Sequence, residues 1–556
     1  MLYRRNSTST VCMAAVWLFA ALAPAGAEPL KGYVDMHTHP MSHLAFGGKL
    51  IHGAPGTMTL IPTDSSCRNG LRAMNINHAL DIDKATHGGW DAIHNPCGDQ
   101  IRHEVIKTME KELHAYQGQE GVMPGAPLFP FWPRWDDITH QKMWVDWVRR
   151  AHKYGLNVMV ALATNNQTLA ASVSGPGDGP GDDRASGDLQ IAEIRQWVQL
   201  NGNFMEIAYT PADLRRIVGA GKLAVVLGIE LDNFGNFNKV PNLTNSMIEG
   251  ELRRLHGLGV RYIFPIHVID NKFGGTAVYA DLFNLSNYRE FGSFWDLECS
   301  RPEDHIGYKF VPAGFDVAFE LVKVTKLGIP PTVHPPTPPA CAAGTGHVNR
   351  RGLTNAGEFA LKTMMRLGML IDIDHMSQRT ANDALRIADE TDPAPGRGYP
   401  LNAGHSGFRS ARVANNSENS RSAEQLDKIE ALRGLVGVGT EAATAEKFYD
   451  NYMDVASRMS NRNTAIGTDL NGLVRGPQPG PDFRYEADLP MGTTGPRQWD
   501  YRREGVAHYG LLPEFVRHVK QKAGANGVVF EQVLNTSAED FAQMWEQAEA
   551  RKGRIP

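Results

Sequence analysis

The sequence predicts an α/β fold: a (β/α)8 TIM-type barrel with long insertions at the C-terminal face of its strands. Three observations predict it. Eight short apolar, β-branched runs recur along the chain, segments of helical periodicity separate most of them, and six of the eight end in a residue able to bind metal or move a proton. Continuously apolar runs mark parallel strands covered on both faces. Barrel sites are built where such strands end. An open doubly wound sheet is the alternative arrangement of the same elements.

In order, the runs cover 32–37, 157–164, 222–230, 261–267, 369–375, 399–405, 435–440 and 464–469. Between them, 248–258 places Leu252, Leu255 and Leu258 on one stripe, and 358–367 and 423–432 repeat that pattern. Ser377 can cap a helix over 378–390. Helices over 512–522 and 538–550 are expected to pack outside the barrel. Three stretches interrupt the alternation, at about 40–138, 268–351 and 471–500. Each leaves from the C-terminal end of a strand, so all three should surround one mouth. The Gly/Asp-rich stretch 174–188 reads as a mobile loop.

Residues 1–27 read as an export signal: Arg4 and Arg5, an apolar run from Val11 to Ala23, then Ala25-Gly26-Ala27 as a small-residue cleavage pattern. The run is shorter than the roughly 20 residues of a membrane span. An uncleaved anchor is the alternative. The expectation is therefore one barrel domain over 28–556, exported to a periplasm or secreted, without a transmembrane segment after cleavage. The whole chain carries 56 Lys+Arg against 61 Asp+Glu, net −5. A mildly acidic chain with no basic block excludes nucleic acid as a natural partner. A small-molecule substrate is expected instead, and a homodimer is compatible with the sequence. Of four cysteines beyond the signal, Cys67–Cys97 and Cys299–Cys341 is the favoured pairing, because each closes a local loop. Three pairings are open in principle.

The chemistry sits at the strand ends. His37 and His39 are two apart on the first strand and face the same side. Glu230 closes Val225-Val226-Leu227-Gly228-Ile229, and burying that carboxylate is costly unless a cation compensates it. Bridging two metal ions would do so. His375 and His405 close adjacent strands and can share a second ion. Asp469, on the last strand, is placed to act as general base. His267 is placed to bind substrate or stabilise a developing oxyanion. Strict alternation turns Asp372 away from His375, as an outer or packing residue. Histidine and carboxylate ligands suit two divalent ions, zinc first, with manganese or iron as alternatives.

These residues sit in motifs that resemble the membrane (renal-type) dipeptidase family of the amidohydrolase superfamily. The likeness is carried by Leu252-Arg253-Arg254-Leu255-His256-Gly257-Leu258-Gly259-Val260-Arg261-Tyr262, by Asp372-Ile373-Asp374-His375-Met376-Ser377, by Gly404-His405-Ser406, and by Ile466-Gly467-Thr468-Asp469-Leu470-Asn471-Gly472. The resemblance implies a two-zinc hydrolase of dipeptides, some with a D-residue at the second position. It implies His37 at the first metal, Glu230 bridging, His375 and His405 at the second, Asp469 as acid/base and His267 on the substrate. The sequence departs from the family pattern at His39, where the family has Asp, and after Glu230, where Leu231-Asp232-Asn233 replaces a Gly pair. The family's carboxylate-holding Arg has no clear counterpart, with Arg409, Arg412 and Arg421 as candidates. Two other readings stay open: an amidohydrolase for another amide, an ester or a lactone, and a non-catalytic periplasmic binding protein on the same barrel.

Overall fold

A computed structural model describes residues 28–48, 50–51, 53–56, 133–172, 179–312, 327, 329, 333–392, 398–413, 416–494 and 497–555. The expected export signal, Cys67, Cys97 and most of the first insertion lie outside the described residues. The other cysteine pair, Cys299–Cys341, is a disulfide. Among the described residues no helix is long and apolar enough to cross a membrane.

Eight parallel strands form the sheet: β1 (Tyr33–Thr38), β2 (Leu156–Asn165), β4 (Leu223–Leu231), β5 (Tyr262–Phe264), β8 (Leu370–Ile371), β9 (Ala403–Ser406), β10 (Val436–Gly439) and β11 (Thr464–Gly467). Their hydrogen-bonded order is β8-β5-β4-β2-β1-β11-β10-β9. The ends of that path meet through a parallel bridge between Asp372 and Asn402. The Ile373 amide donates to the Asn402 carbonyl at 2.8 Å, and the Asn402 amide to the Ile371 carbonyl at 3.1 Å. The ring is thereby closed, as the alternation of strands and helices predicts. A ninth strand, β3 (Met205–Ile207), pairs with the first half of β4, below the register where β5 joins it. Three residues are too few to carry a readable period, and the sequence gives no sign of it.

Burial explains the strands. Every residue of β1 and β4 is buried, as apolar runs covered on both faces require. The helices turn apolar stripes onto the sheet. Asn355–Arg366 starts where the Thr354 hydroxyl accepts the Gly357 amide, and it buries Ala360, Leu361, Met364 and Met365. Gln378–Glu390 is capped by Ser377, as expected. The stretch read as a mobile loop is shorter than 174–188. Asp182 caps a helix over Asp183–Leu200, so the acidic residues there start a helix. The last helix, Gly527–Arg551, begins earlier than expected and reaches the start of β1 through Ser537 and Glu539.

The second insertion contains a helix, Phe283–Phe291, and an antiparallel pair, β6 (Leu297–Cys299) and β7 (His347–Asn349). The disulfide ties the far end of that pair. Glu418 fastens the insertion down: its carboxylate accepts the amides of Val278 (2.9 Å), Asn349 (3.0 Å) and Gln378 (2.7 Å).

Candidate metal centre

The strand ends bring seven ligand-bearing side chains to one mouth. From β1, His37 Nε2 and His39 Nε2 lie 2.9 Å apart. Glu230, one residue before the end of β4, reaches both with Oε2, at 3.2 Å and 3.3 Å. Asp469 Oδ1, just past β11, lies 3.0 Å from His39 Nε2 and 3.6 Å from His37 Nε2. A tetrahedral ion with bonds of about 2.0–2.1 Å spaces its ligands roughly 3.3–3.4 Å apart. His37, His39 and Glu230, 2.9 Å, 3.2 Å and 3.3 Å apart, group closely enough to face one ion.

The other oxygen of Glu230 serves a second group. Oε1 lies 3.1 Å from His375 Nε2, and His267 Nε2 lies 3.6 Å from Oε2. Glu230 Oε1 and His375 Nε2 are both buried without a hydrogen-bond partner. Facing atoms left unsatisfied in this way fit an intervening cation. His405 completes the ring: it groups with His37 and Asp469, its ring centroid 3.9 Å from His37 and 4.7 Å from His375.

Oxygen atoms lie close to the outer nitrogens of four of the five imidazoles, as hydrogen bonds at His39 and His375 and as carboxylate contacts at His267 and His405. His39 Nδ1 lies 3.3 Å from the Leu162 carbonyl and His267 Nδ1 2.7 Å from Asp232. His375 Nδ1 lies 3.0 Å from Tyr279 Oη and His405 Nδ1 3.2 Å from Asp374. Metal-binding histidines are oriented in this manner. Two ligand-bearing residues also adopt left-handed backbone, His375 with φ +63° and Asp469 with φ +52°. Non-glycine residues hold such angles only where neighbours fix them. The Asn419 side chain accepts the His375 amide at 2.9 Å, and the His37 carbonyl accepts the Asp469 amide at 2.9 Å.

The electrostatics divide the imidazoles. Burial, helped by His405, pushes His37 down to about 4, and burial with His267 and His405 beside it does the same to His375. Burial opposes the proton on His39 too, but Asp469 and Glu230 outweigh it and push His39 up to about 9. Asp374 likewise overrides burial and lifts His405 to about 10. Glu230 is held well below the carboxylate range against its burial, chiefly by His267 and His37.

Metal uptake should follow these directions. Ligands bind unprotonated, so His39 and His405 must each release a proton while His37 and His375 release none above about pH 5. Zinc affinity should therefore rise with pH from about 6 to about 9, roughly tenfold per unit for each proton released. Chelator competition across that range measures the slope, and a flat profile contradicts the ligand set.

The three candidate arginines part company. Arg421 is buried, donating to the Ile373 carbonyl (3.3 Å) and lying 3.6 Å from Asp374. Arg409 is buried and donates to Gln378 at 2.7 Å. Arg412 is exposed and lines a cleft of about 590 Å³ that opens beside His405 and Gly439, with Glu441, Lys447 and Asp450 around it. Asp232, Asp374 and Tyr279 carry no assigned role in the sequence reading. Asp232 stands two after Glu230, just past the end of β4, so continuing the period-two alternation signals it. The other two are placed by tertiary contacts alone.

A closed parallel barrel of the (β/α)8 class thus gathers five imidazoles and two carboxylates at its mouth, a candidate metal centre. Residues 336–482 match the model of the family described as Membrane dipeptidase (Peptidase family M19). An uncharacterized dipeptidase of Schizosaccharomyces pombe is 26% identical over 160 residues, 27% of this chain and 36% of that protein. The dipeptidase ataJ of Aspergillus terreus is 23% identical over 295 residues, 52% of this chain and 56% of that protein. The chain thus spans about half, or less, of the length of these relatives. The crystal structure of the probable dipeptidase PvdM from Pseudomonas aeruginosa superposes with a TM-score of 0.43 at 14% identity, covering 81% of this chain and 99% of that one.

Proposed function

We propose that the chain is an exported two-metal hydrolase, zinc being the favoured ion, that cleaves dipeptides. The observation that carries this reading is Glu230, whose two oxygens face separate histidine groups: His37 and His39 on one side, His375 on the other. The family match over 336–482 supports the dipeptide as substrate class. Two divalent ions in such a centre supply Lewis acidity and make water a nucleophile near neutral pH.

The chain's own residues do the rest. Asp469, half-buried beside His37 and His39 with its carboxylate held ionised by His39, takes the proton from the attacking water and returns it to the leaving amine. His267, its Nδ1 against Asp232, presents Nε2 to the mouth and stabilises charge developing on the substrate carbonyl. The N-terminal signal pattern and the Cys299–Cys341 disulfide support export.

A second reading keeps the centre and changes the substrate to another amide, an ester or a lactone. The arginines favour it: Arg409 and Arg421 are buried, and Arg412, the exposed candidate on the cleft, lies 3.5 Å from Asp454. Elemental analysis of the purified protein, paired with L,L and L,D dipeptides and with N-acyl amides, esters and lactones, separates the readings. Two ions per chain with dipeptide turnover is the expected result. Two ions with turnover only of substrates lacking a free carboxylate selects the second reading. A protein that takes up no metal is a binding protein on the same barrel.

A further inference from the structure

We propose that Tyr279, supplied by the insertion between β5 and β8, is a positioning residue that fixes the tautomer of His375 and so completes the second ion position. This inference rests on the two-ion reading. The geometry begins with the backbone. Thr276 and Met376 form an antiparallel bridge, and the Ala277 amide donates to the His375 carbonyl at 2.7 Å. The Thr276 hydroxyl, with one proton to give, lies 3.0 Å from the same carbonyl and 2.5 Å from that of His267. One short segment of the insertion is thereby laced to two of the histidines. Glu418 holds the next residue, Val278, by its amide. Tyr279 follows directly, and its hydroxyl has little choice of position: it lies 3.0 Å from His375 Nδ1, the rings 5.7 Å apart.

The chemistry follows from the other nitrogen. His375 Nε2 faces Glu230 at 3.1 Å and is the atom that can ligate. A neutral imidazole carries one proton, so Nε2 is free for a cation only when the proton sits on Nδ1. Tyr279 Oη is then the acceptor of the Nδ1–H. It serves His375 as Asp374 serves His405 and Asp232 serves His267, with one difference. A phenol adds no negative charge to a centre already carrying Glu230, Asp469 and Asp374. The sequence motif that contains His375 does not contain its partner, which arrives from 96 residues earlier in the chain.

Tyr279→Phe removes the oxygen and keeps the ring, which packs 5.3 Å from Phe283. Zinc titration of the full chain against a chromophoric chelator should show one ion bound as in the wild type and the other weakened about 10–100-fold. A protected downfield imidazole N–H proton resonance in the zinc-loaded wild type should be lost in the variant. General damage would weaken both ions and lower the melting temperature, which makes the split between the ions the deciding result. Two ions bound with wild-type affinity by Tyr279→Phe, or both weakened equally, would overturn the role of Tyr279 and leave the two-ion reading intact. Fewer than two ions in the wild type would overturn both.

Discussion

Glu230→Ala should empty both ion positions at once. One carboxylate lies within 3.3 Å of His37 and His39 through Oε2 and 3.1 Å of His375 through Oε1. No other described side chain touches both groups so closely. Loss of an outer hydrogen-bond partner weakens a metal site about 10–100-fold, and loss of a shared ligand should exceed the upper end of that range. Dialysed Glu230→Ala should therefore retain almost no metal by elemental analysis, whereas His375→Ala should lose one ion and keep the other. Glu230→Gln preserves the shape without the charge. If its melting temperature matches that of the metal-free wild type while its metal is lost, the effect is ligation and not collapse. Full metal content in Glu230→Ala would show that the two groups are independent.

The largest effect on turnover is expected from Asp469→Asn. Asparagine tolerates the left-handed backbone that residue 469 adopts at φ +52°, so the local fold survives. Its carbonyl oxygen can still lie where Oδ1 lies, 3.0 Å from His39, and metal should be kept. What is lost is the ability to take a proton. General-base contributions run to about 10²–10⁴-fold, and kcat should fall by that order with KM little changed. Steady-state kinetics on the best dipeptide of the panel measures it, with metal content determined on the same preparation. An unchanged kcat would leave Asp469 as a ligand only and require another base at the mouth.

The part of the centre most legible in the sequence lies on a long, regular strand. β4 pairs with β2 from Ala224 to Leu231 without a register shift, so the position of Glu230 follows from counting. His37 and His39 obey the same period-two rule. The rule fails where the ladder stops. β8 is only Leu370–Ile371, and the chain turns through Asp374 to a left-handed His375, so His375 reaches the mouth by that turn and not by alternation along 369–375. Asp372 is a packing residue, as expected, but an interior one: the Tyr262 hydroxyl donates to it at 2.5 Å, beside the bridge that closes the ring. Tyr279 and Asp374 were illegible because their roles exist only once distant segments meet. Arg409 and Arg421 looked free in the sequence because nothing in it shows that Gln378 and the Ile373 carbonyl would claim them.

The closure of the ring has a mechanical side. The wall that carries Glu230 is stitched along eight paired residues of β2 and β4, while the wall carrying His375 and His405 meets across the single bridge from Asp372 to Asn402. The mouth is therefore built like a vice with one fixed jaw and one sliding jaw. Glu230, with His37 and His39 beside it, sets a gauge that does not yield. His375 gives way instead, held in place by Asn419 and Tyr279 rather than by the sheet. A cation of another radius would be accommodated on that side of the mouth alone.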